Sequence, residues 1–300
     1  MRGALFMVIS MAAFTVNDSI TKLVASSFNM GQVMLVRGLF ATILVVAIAW
    51  HQNALRPLST AFEPALITRV LCEALATTFF LIALAHLPLA NVSAVLQALP
   101  LAVTMGAALY FGEQVGWRRW LAIATGFAGV LIVVRPGFSG FNAYALLALA
   151  SVACCAVRDL ATKSIPNEIP SLFISVATSV AVTMTGAFLV VPLGGWSTPS
   201  AGDLTLLASA AVLLVIGYQF IIKAMREGSI SFIAPFRYTA LLWSLALGYA
   251  IFGDIPDTAM AVGATVVVGS GLYTLYREQI VGRGKPAAET TSPAMAPDGL

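Results

Sequence analysis

Asp18-Ser19-Ile20-Thr21-Lys22 and Asp159-Leu160-Ala161-Thr162-Lys163 stand 141 residues apart, and at the same spacing Tyr110-Phe111-Gly112-Glu113 returns as Ile251-Phe252-Gly253-Asp254. Two matches that share one spacing across nearly a hundred residues mark a chain that resembles itself. Asp18–Lys22 and Asp159–Lys163 each lie toward the end of a long apolar run, and eight further runs fill the rest of the chain. The runs cover residues 3–24, 31–50, 65–86, 90–111, 117–135, 142–162, 169–191, 204–225, 230–252 and 257–276. A helix needs about 20 apolar residues to cross a hydrocarbon core of roughly 30 Å. The ten-residue alternation of barrel strands is absent, so each run reads as a membrane-spanning helix with its backbone satisfied internally. Five spans precede the repeat point and five follow it. An odd number per half returns the second copy through the membrane from the opposite side. The fold predicted is therefore an all-α polytopic membrane protein, with ten transmembrane helices arranged as two inverted-topology five-helix repeats.

Composition points the same way. Of 300 residues, 59% are hydrophobic and 10% charged, whereas a soluble domain is about 25% charged. So few charges cannot cover a water-facing surface, so soluble enzyme, secreted disulfide scaffold and nucleic-acid binder are poor fits, and the formal charge of +3, scattered through short loops, makes no basic patch for DNA or RNA. Cys72, Cys154 and Cys155 lie in apolar runs and outline no disulfide framework. Met1-Arg2 could open a signal peptide, but the run continues to Asn17, Asp18 and Lys22 without a small-residue cleavage site. With a cytoplasmic N-terminus the inner segments hold Arg2, Arg56, Arg118, Arg119, Lys163, Arg226, Arg277, Arg283 and Lys285. The outer ends then hold only Arg135 and, at a helix end, Lys22. That asymmetry predicts both termini in the cytoplasm of a bacterial-type inner membrane. The units expected are a first repeat over 1–136, a second over 141–280, and a disordered cytoplasmic tail over 281–300, rich in Pro, Ala, Thr and Ser.

The stretch Ala83-Leu-Ala-His86-Leu-Pro-Leu-Ala-Asn-Val-Ser-Ala-Val-Leu-Gln97-Ala-Leu-Pro100, continuing to Tyr110-Phe-Gly-Glu113, resembles the first repeat of the drug/metabolite transporter superfamily, EamA branch. Leu121 to Val134, with Gly126 and Gly129, fits its continuation. Ile233-Ala234-Pro235-Phe236-Arg237-Tyr238 and Phe252-Gly253-Asp254-Ile255-Pro256 resemble the second repeat. The resemblance covers about residues 3–280. It implies ten helices, a central cavity between repeats, and peripheral fifth and tenth helices. Members of the family export amino acids and other metabolites, and some import. This chain is most similar to bacterial inner-membrane amino-acid exporters, including the aromatic type. Pro100 has no proline counterpart at Leu241, and Pro235 maps onto Ala94. The prolines should bend the fourth and ninth helices, and the bends of the two halves are expected not to be equivalent.

Ionisable groups inside a bilayer cost roughly 2.5–3.5 kcal/mol each, so they should face a cavity or a partner. The deep ones are Arg37, Arg69, Glu73 and Arg237, with Asp18, Arg158 and Asp159 nearer helix ends. Glu73 sits one turn beyond Arg69. It reads either as a titrating carboxylate that couples transport to protons or as half of an Arg69–Glu73 ion pair joining helices. Arg237 has no acid within four residues on either side and suits bidentate capture of a substrate carboxylate; the alternative is an interhelical pair with Glu73 or Asp18. Asp18 with Lys22 and Asp159 with Lys163 are i,i+4 pairs at opposite faces, where they either gate the cavity or snorkel to the headgroups. Asn17, Gln97, Tyr218, Gln219, Tyr238 and Trp243 supply the hydrogen bonds and aromatic walls expected of a pocket for a small zwitterion. The seams Ala122-xxx-Gly126 and Thr125-xxx-Gly129 read as internal packing, so a monomer is expected.

These features predict a secondary transporter moving a small organic solute by alternating access, without a cofactor. An exporter of amino acids is the favoured reading, and an importer of a vitamin or nucleoside-like metabolite its rival. The sequence lacks a G-x-x-x-x-G-K-[ST] loop for ATP. An intramembrane enzyme would need clustered catalytic groups. The two histidines, His51 and His86, lie at span edges, and Gly269-Ser270-Gly271 has no histidine close in sequence. Repeated charged rings that would mark a channel are also missing.

Overall fold

A computed structural model describes residues 2–112, 115–135, 142–166, 168–227 and 233–281. The helices are α1 (Arg2–Val24), α2 (Met30–His51), α3 (Pro64–His86), α4 (Leu89–Leu96), α5 (Leu99–Tyr110), α6 (Trp117–Val134), α7 (Tyr144–Lys163), α8 (Ser171–Val190), α9 (Ala201–Glu227), α10 (Thr239–Phe252) and α11 (Thr258–Val281). A 3-10 turn covers Leu58–Phe62 and a second, Ala234–Tyr238, leads into α10. Among the described residues nine segments are long and apolar enough to span a bilayer, counting Leu89–Tyr110 as one. The tenth expected span, 230–252, is described from residue 233 as the 3-10 turn followed by α10. Large apolar side chains are exposed along the shafts, Ile43, Leu121, Phe188 and Leu242 among them. Such a surface would be a liability in water and is ordinary in lipid. Exposed aromatics gather near the helix ends, with Trp50, Tyr110, Trp117 and Tyr276 at one level and Trp196 and Tyr249 at the other, as in the belts at membrane interfaces.

The two halves interlock rather than sit side by side: α1 packs on α9, α3 on α7, α2 on α8 and α6 on α11. The spacing of 141 reappears in the contacts. Ser10 Oγ donates to the Gly217 carbonyl at 2.7 Å, and Ser151 Oγ donates to the Ala76 carbonyl at 2.9 Å; each bond maps onto the other under the shift. The Thr42 and Thr183 hydroxyls, themselves equivalent, lie 3.1 Å apart. Along the α2–α8 contact, a Cβ on Gly31 would meet the backbone of Leu189, and one on Gly186 would meet the backbone of Leu35. Register therefore rises on α2 as it falls on α8. Equivalent helices that run antiparallel about their own contact are related by a two-fold axis in the membrane plane, which is the inverted repeat. Glycine is needed at both crossings because the backbones approach to a distance no Cβ tolerates.

Lipid gives no hydrophobic drive for helix association, so buried hydroxyls are satisfied locally. Thr15, Ser19, Thr78, Thr162 and Thr178 each bond the carbonyl one turn back. Gly126 and Gly129 face Ser270, Gly263 and Val266 of α11, so the small-residue seam is internal. One expectation is corrected. The helix breaks of the halves are equivalent, at Gln97–Ala98 between α4 and α5 and at Tyr238–Thr239 between the 3-10 turn and α10. Pro100 follows the first break and Pro235 precedes the second, each within a turn. Each proline removes a backbone N–H beside its break, so unlike proline placements flank equivalent interruptions. Glu113, Gln114 and the tail from 282 lie outside the described residues, as do the side chains of Arg226 and Glu227.

Candidate functional site

Two chambers meet in the middle of the bundle. The first, about 180 Å³, lies between α2, α3, α8 and α9 and extends toward the end of the molecule that carries Pro64, Lys163 and Ser171; Arg37, Arg69, Ser175, Thr178, Tyr218 and Gln219 line it. The second, about 250 Å³, lies between α1, α3, α4, α7 and α10 and extends toward Lys22 and His86; Asp18, Phe80, Ser93, Gln97, Arg237 and Ser244 line it. Glu73, Thr77 and Arg158 line both. A side pocket of about 60 Å³ adds Asp159, Arg237 and Tyr238 beside Gln97. The two main chambers take no wall from α6 or α11, which are paired with each other.

The charges form two clusters. Arg158, buried on α7, donates to Glu73 Oε2 at 2.8 Å and to Asp159 Oδ1 at 2.7 Å. Arg37, buried on α2, reaches Asn17 Oδ1 at 3.3 Å and Thr21 Oγ1 at 3.4 Å, while Asn17 Nδ2 donates to Asp18 Oδ1 at 2.9 Å. Asn17 thus bridges Arg37 to Asp18 rather than lining a chamber. Arg69 reaches across to Thr178 on α8. Burying so many charges is tolerable because each found a polar partner or a cavity.

Several expectations change. Glu73 pairs with Arg158 of the opposite half, not with Arg69 on its own helix, because α3 packs against α7 and brings the stronger partner within reach. The i,i+4 pairs do not form either. Asp159 is taken by Arg158, and Lys22 extends to the carbonyls of Leu84 and Leu87 where α3 ends, since those terminal carbonyls have no partner within the helix. Trp243 is 38% exposed and lines neither main chamber; the 3-10 turn presents Arg237 to the second chamber, α10 presents Ala240 and Ser244 to it, and Trp243 points away. Arg237 shares the second chamber with Asp18 and Glu73, and a side pocket with Asp159. Gln97 lines the second chamber and donates to the Tyr238 carbonyl at 3.4 Å. Tyr218 and Gln219 line the first chamber with Arg37, apart from Gln97 and Arg237 in the second, and Phe14 meets the Tyr218 ring edge-on at 5.2 Å. Sequence reasoning counted Arg158 among the ionisable groups near helix ends but gave it no role in the site. It occupies the position equivalent to Asn17, so the repeat spacing carried the signal.

Lys22 and Lys163 are equivalent, and their surroundings match. Lys22 Nζ stands 5.4 Å from the centre of the Phe252 ring, and Lys163 Nζ stands 4.6 Å from that of Phe111. Phe111 and Phe252 are themselves equivalent, so each half lays its lysine on the other half's phenylalanine at opposite ends of the molecule. At the Lys22 end Arg135 and Asp257 tie α6 to α11. The Met260 amide, with help from Arg135, holds the Asp257 carboxyl below the usual carboxylate range.

Interlocked inverted repeats around a charged central cavity define a membrane transporter of small molecules. The model of the EamA-like transporter family matches residues 1–135 and 142–276, and the chain belongs to that family. The "Pseudopaline exporter CntI" of Pseudomonas aeruginosa strain UCBPP-PA14 is 26% identical over 89% of this chain and 93% of its own. The "S-adenosylmethionine uptake transporter" of Rickettsia prowazekii is 24% identical over 93% and 94%. The "Riboflavin transporter" of Rhizobium johnstonii is 28% identical over 74% and 72%. A protein of known crystal structure shares the fold, with a TM-score of 0.64 and 15% identity over 93% of this chain and 99% of its own. The family and these relatives are transporters, not enzymes.

Proposed function

We propose that this protein is a secondary transporter that exports amino acids or chemically related metabolites from the cytoplasm by alternating access. The observation that carries the reading is the pair of chambers meeting at mid-span between the halves, lined by buried Arg37 and Arg158 and half-buried Glu73 and Arg237. A zwitterion or carboxylate is the solute such a lining solvates in place of water. Arg237, with Gln97 beside it, anchors the solute carboxylate in the second chamber. Repeat units of 1–136 and 141–280, acting within a monomer, fit the internal use of the α6–α11 seam. The loop arginines favour both termini in the cytoplasm of an inner membrane. On that orientation the first chamber faces inward and the second outward.

The lysine–phenylalanine contacts act as two latches. Lys22 on Phe252 holds the outer end and Lys163 on Phe111 the inner end; both contacts are made in this structure, and rocking of the halves releases one at a time. Likeness to an exporter supports the outward direction. Likeness to two uptake or vitamin transporters favours a second reading, import of a nucleoside-like or vitamin metabolite. Counterflow in proteoliposomes against an amino-acid panel, with riboflavin and S-adenosylmethionine as the rival solutes, separates the two. Exchange of the rivals alone refutes the amino-acid reading.

A further inference from the structure

The Glu73–Arg158 contact is the place where the two chambers meet, and it is an ion pair between helices of different halves, α3 and α7. On α3 the first chamber touches Arg69, Glu73 and Thr77, whereas the second touches Glu73 through Leu84. The pair therefore sits at the junction in depth as well as in sequence. The repeat accounts for neither member, since the positions equivalent to Glu73 and Arg158 are Leu214 and Asn17. A buried ion pair is weak evidence of stability, because well-packed apolar residues there serve as well. Its presence where the scaffold specifies Leu and Asn calls for a reason in function.

We infer that the Glu73–Arg158 pair is both the partition between the chambers and the solute's docking point, opened by a zwitterion whose carboxylate takes Arg158 while its ammonium takes Glu73. The inference rests on the small-solute transport proposed above and adds what that reading leaves unstated, the solute's charge pattern and the contact it must break. Arg158 keeps Asp159 when Glu73 departs, so its side chain stays oriented during the exchange. A solute bearing only a carboxylate leaves Glu73 beside a like charge. A bare amine meets a site where Arg37, Arg69, Arg158 and Arg237 outnumber Asp18, Glu73 and Asp159. Only a molecule carrying both signs replaces both halves of the pair in a low dielectric.

Two arms test this in proteoliposomes. In the first, counterflow of a labelled amino acid is challenged with the unlabelled amino acid, its decarboxylated amine and its des-amino acid. The wild type should prefer the amino acid to either fragment by at least about tenfold, and Glu73→Gln should bring the des-amino acid to within about threefold, since a neutral amide no longer repels it. In the second, no transported solute is needed. Cys72 and Cys154 are replaced by Ala, and a membrane-impermeant thiol reagent is added at the Lys22 face. It should reach Cys155 in the second chamber but not Ser175→Cys, placed in the first chamber with Cys155 also replaced. With Glu73→Gln, labelling at position 175 should rise by about tenfold or more. The double variant Glu73→Leu, Arg158→Asn leaves no orphan charge, and it should open the partition likewise if the single variant folds poorly. Unchanged selectivity in Glu73→Gln, or unchanged labelling at position 175 in the variants, overturns the inference. A wild type that exchanges no amino acid refutes the solute assignment alone, and the labelling arm then decides the partition.

Discussion

Replacing Lys22 by Met removes an ammonium and keeps a stem of similar length, so it tests the outer latch with little change in packing. The ammonium is held at 2.9 Å from the Leu84 carbonyl, by the Leu87 carbonyl, and over the Phe252 ring. Charge-assisted bonds contribute about 1.5–3 kcal/mol each, and a cation–π contact about 0.5–1 kcal/mol. Lys22 is only half buried, so water recovers most of this when the latch opens, leaving a net loss of about 1.5–2 kcal/mol. At 1.4 kcal/mol per factor of ten, the variant shifts the population open at that end by about 10- to 30-fold. The assay is the labelling rate of Cys155 by an impermeant thiol reagent, after Cys72 and Cys154 are replaced by Ala. The rate should rise with Lys22→Met and fall or stay level with Lys163→Met, whose ring partner Phe111 is at the other end. Equal rates in all three proteins, or a rise in both variants, refutes the two-latch reasoning.

Arg237→Ala should raise the KM for accepted carboxylates by about ten- to a hundredfold with the fold intact; normal transport of every accepted solute by a stable variant removes its role as anchor. Gly31→Ala and Gly186→Ala each place a Cβ within 2.6 Å of the opposing backbone, so the α2–α8 crossing must part. Each should lose about 1–3 kcal/mol, read as a lower melting temperature in detergent, while Gly202→Ala on an open surface should not. Asp257 has a folded pKa below the unfolded carboxylate value, so its contribution is present above the unfolded value and lost as pH falls through the folded one. Because its side chain is 57% exposed, Asp257→Asn should cost only a few tenths of a kcal/mol near neutral pH. The difference from wild type should vanish in acid below the usual carboxylate range.

Much of the architecture could be read from residue order. Apolar run lengths gave the spans, and a single spacing of 141 gave the inverted pairing that the Ser10–Gly217 and Ser151–Ala76 bonds display. Candidate residues fared unevenly. Arg237, Gln97, Tyr218 and Gln219 line the chambers, since a polar group in an apolar run has few other places to go. Trp243 does not, because an amphipathic ring is equally at home against lipid. Nearness in sequence suggested contacts that the helix packing does not make, as with Arg69–Glu73, Asp18–Lys22 and Asp159–Lys163.

Hydropathy, period and repeat spacing are properties of the chain, so sequence alone determined that this molecule crosses the membrane as two opposed five-helix halves. Pairing of charges is a property of which helix faces touch. That Glu73 meets Arg158 and that each lysine crosses to the other half's phenylalanine were decided only when α3 packed on α7 and the halves interlocked. The physical reason is that electrostatic interaction in a bilayer falls with distance through space and takes no account of separation along the chain.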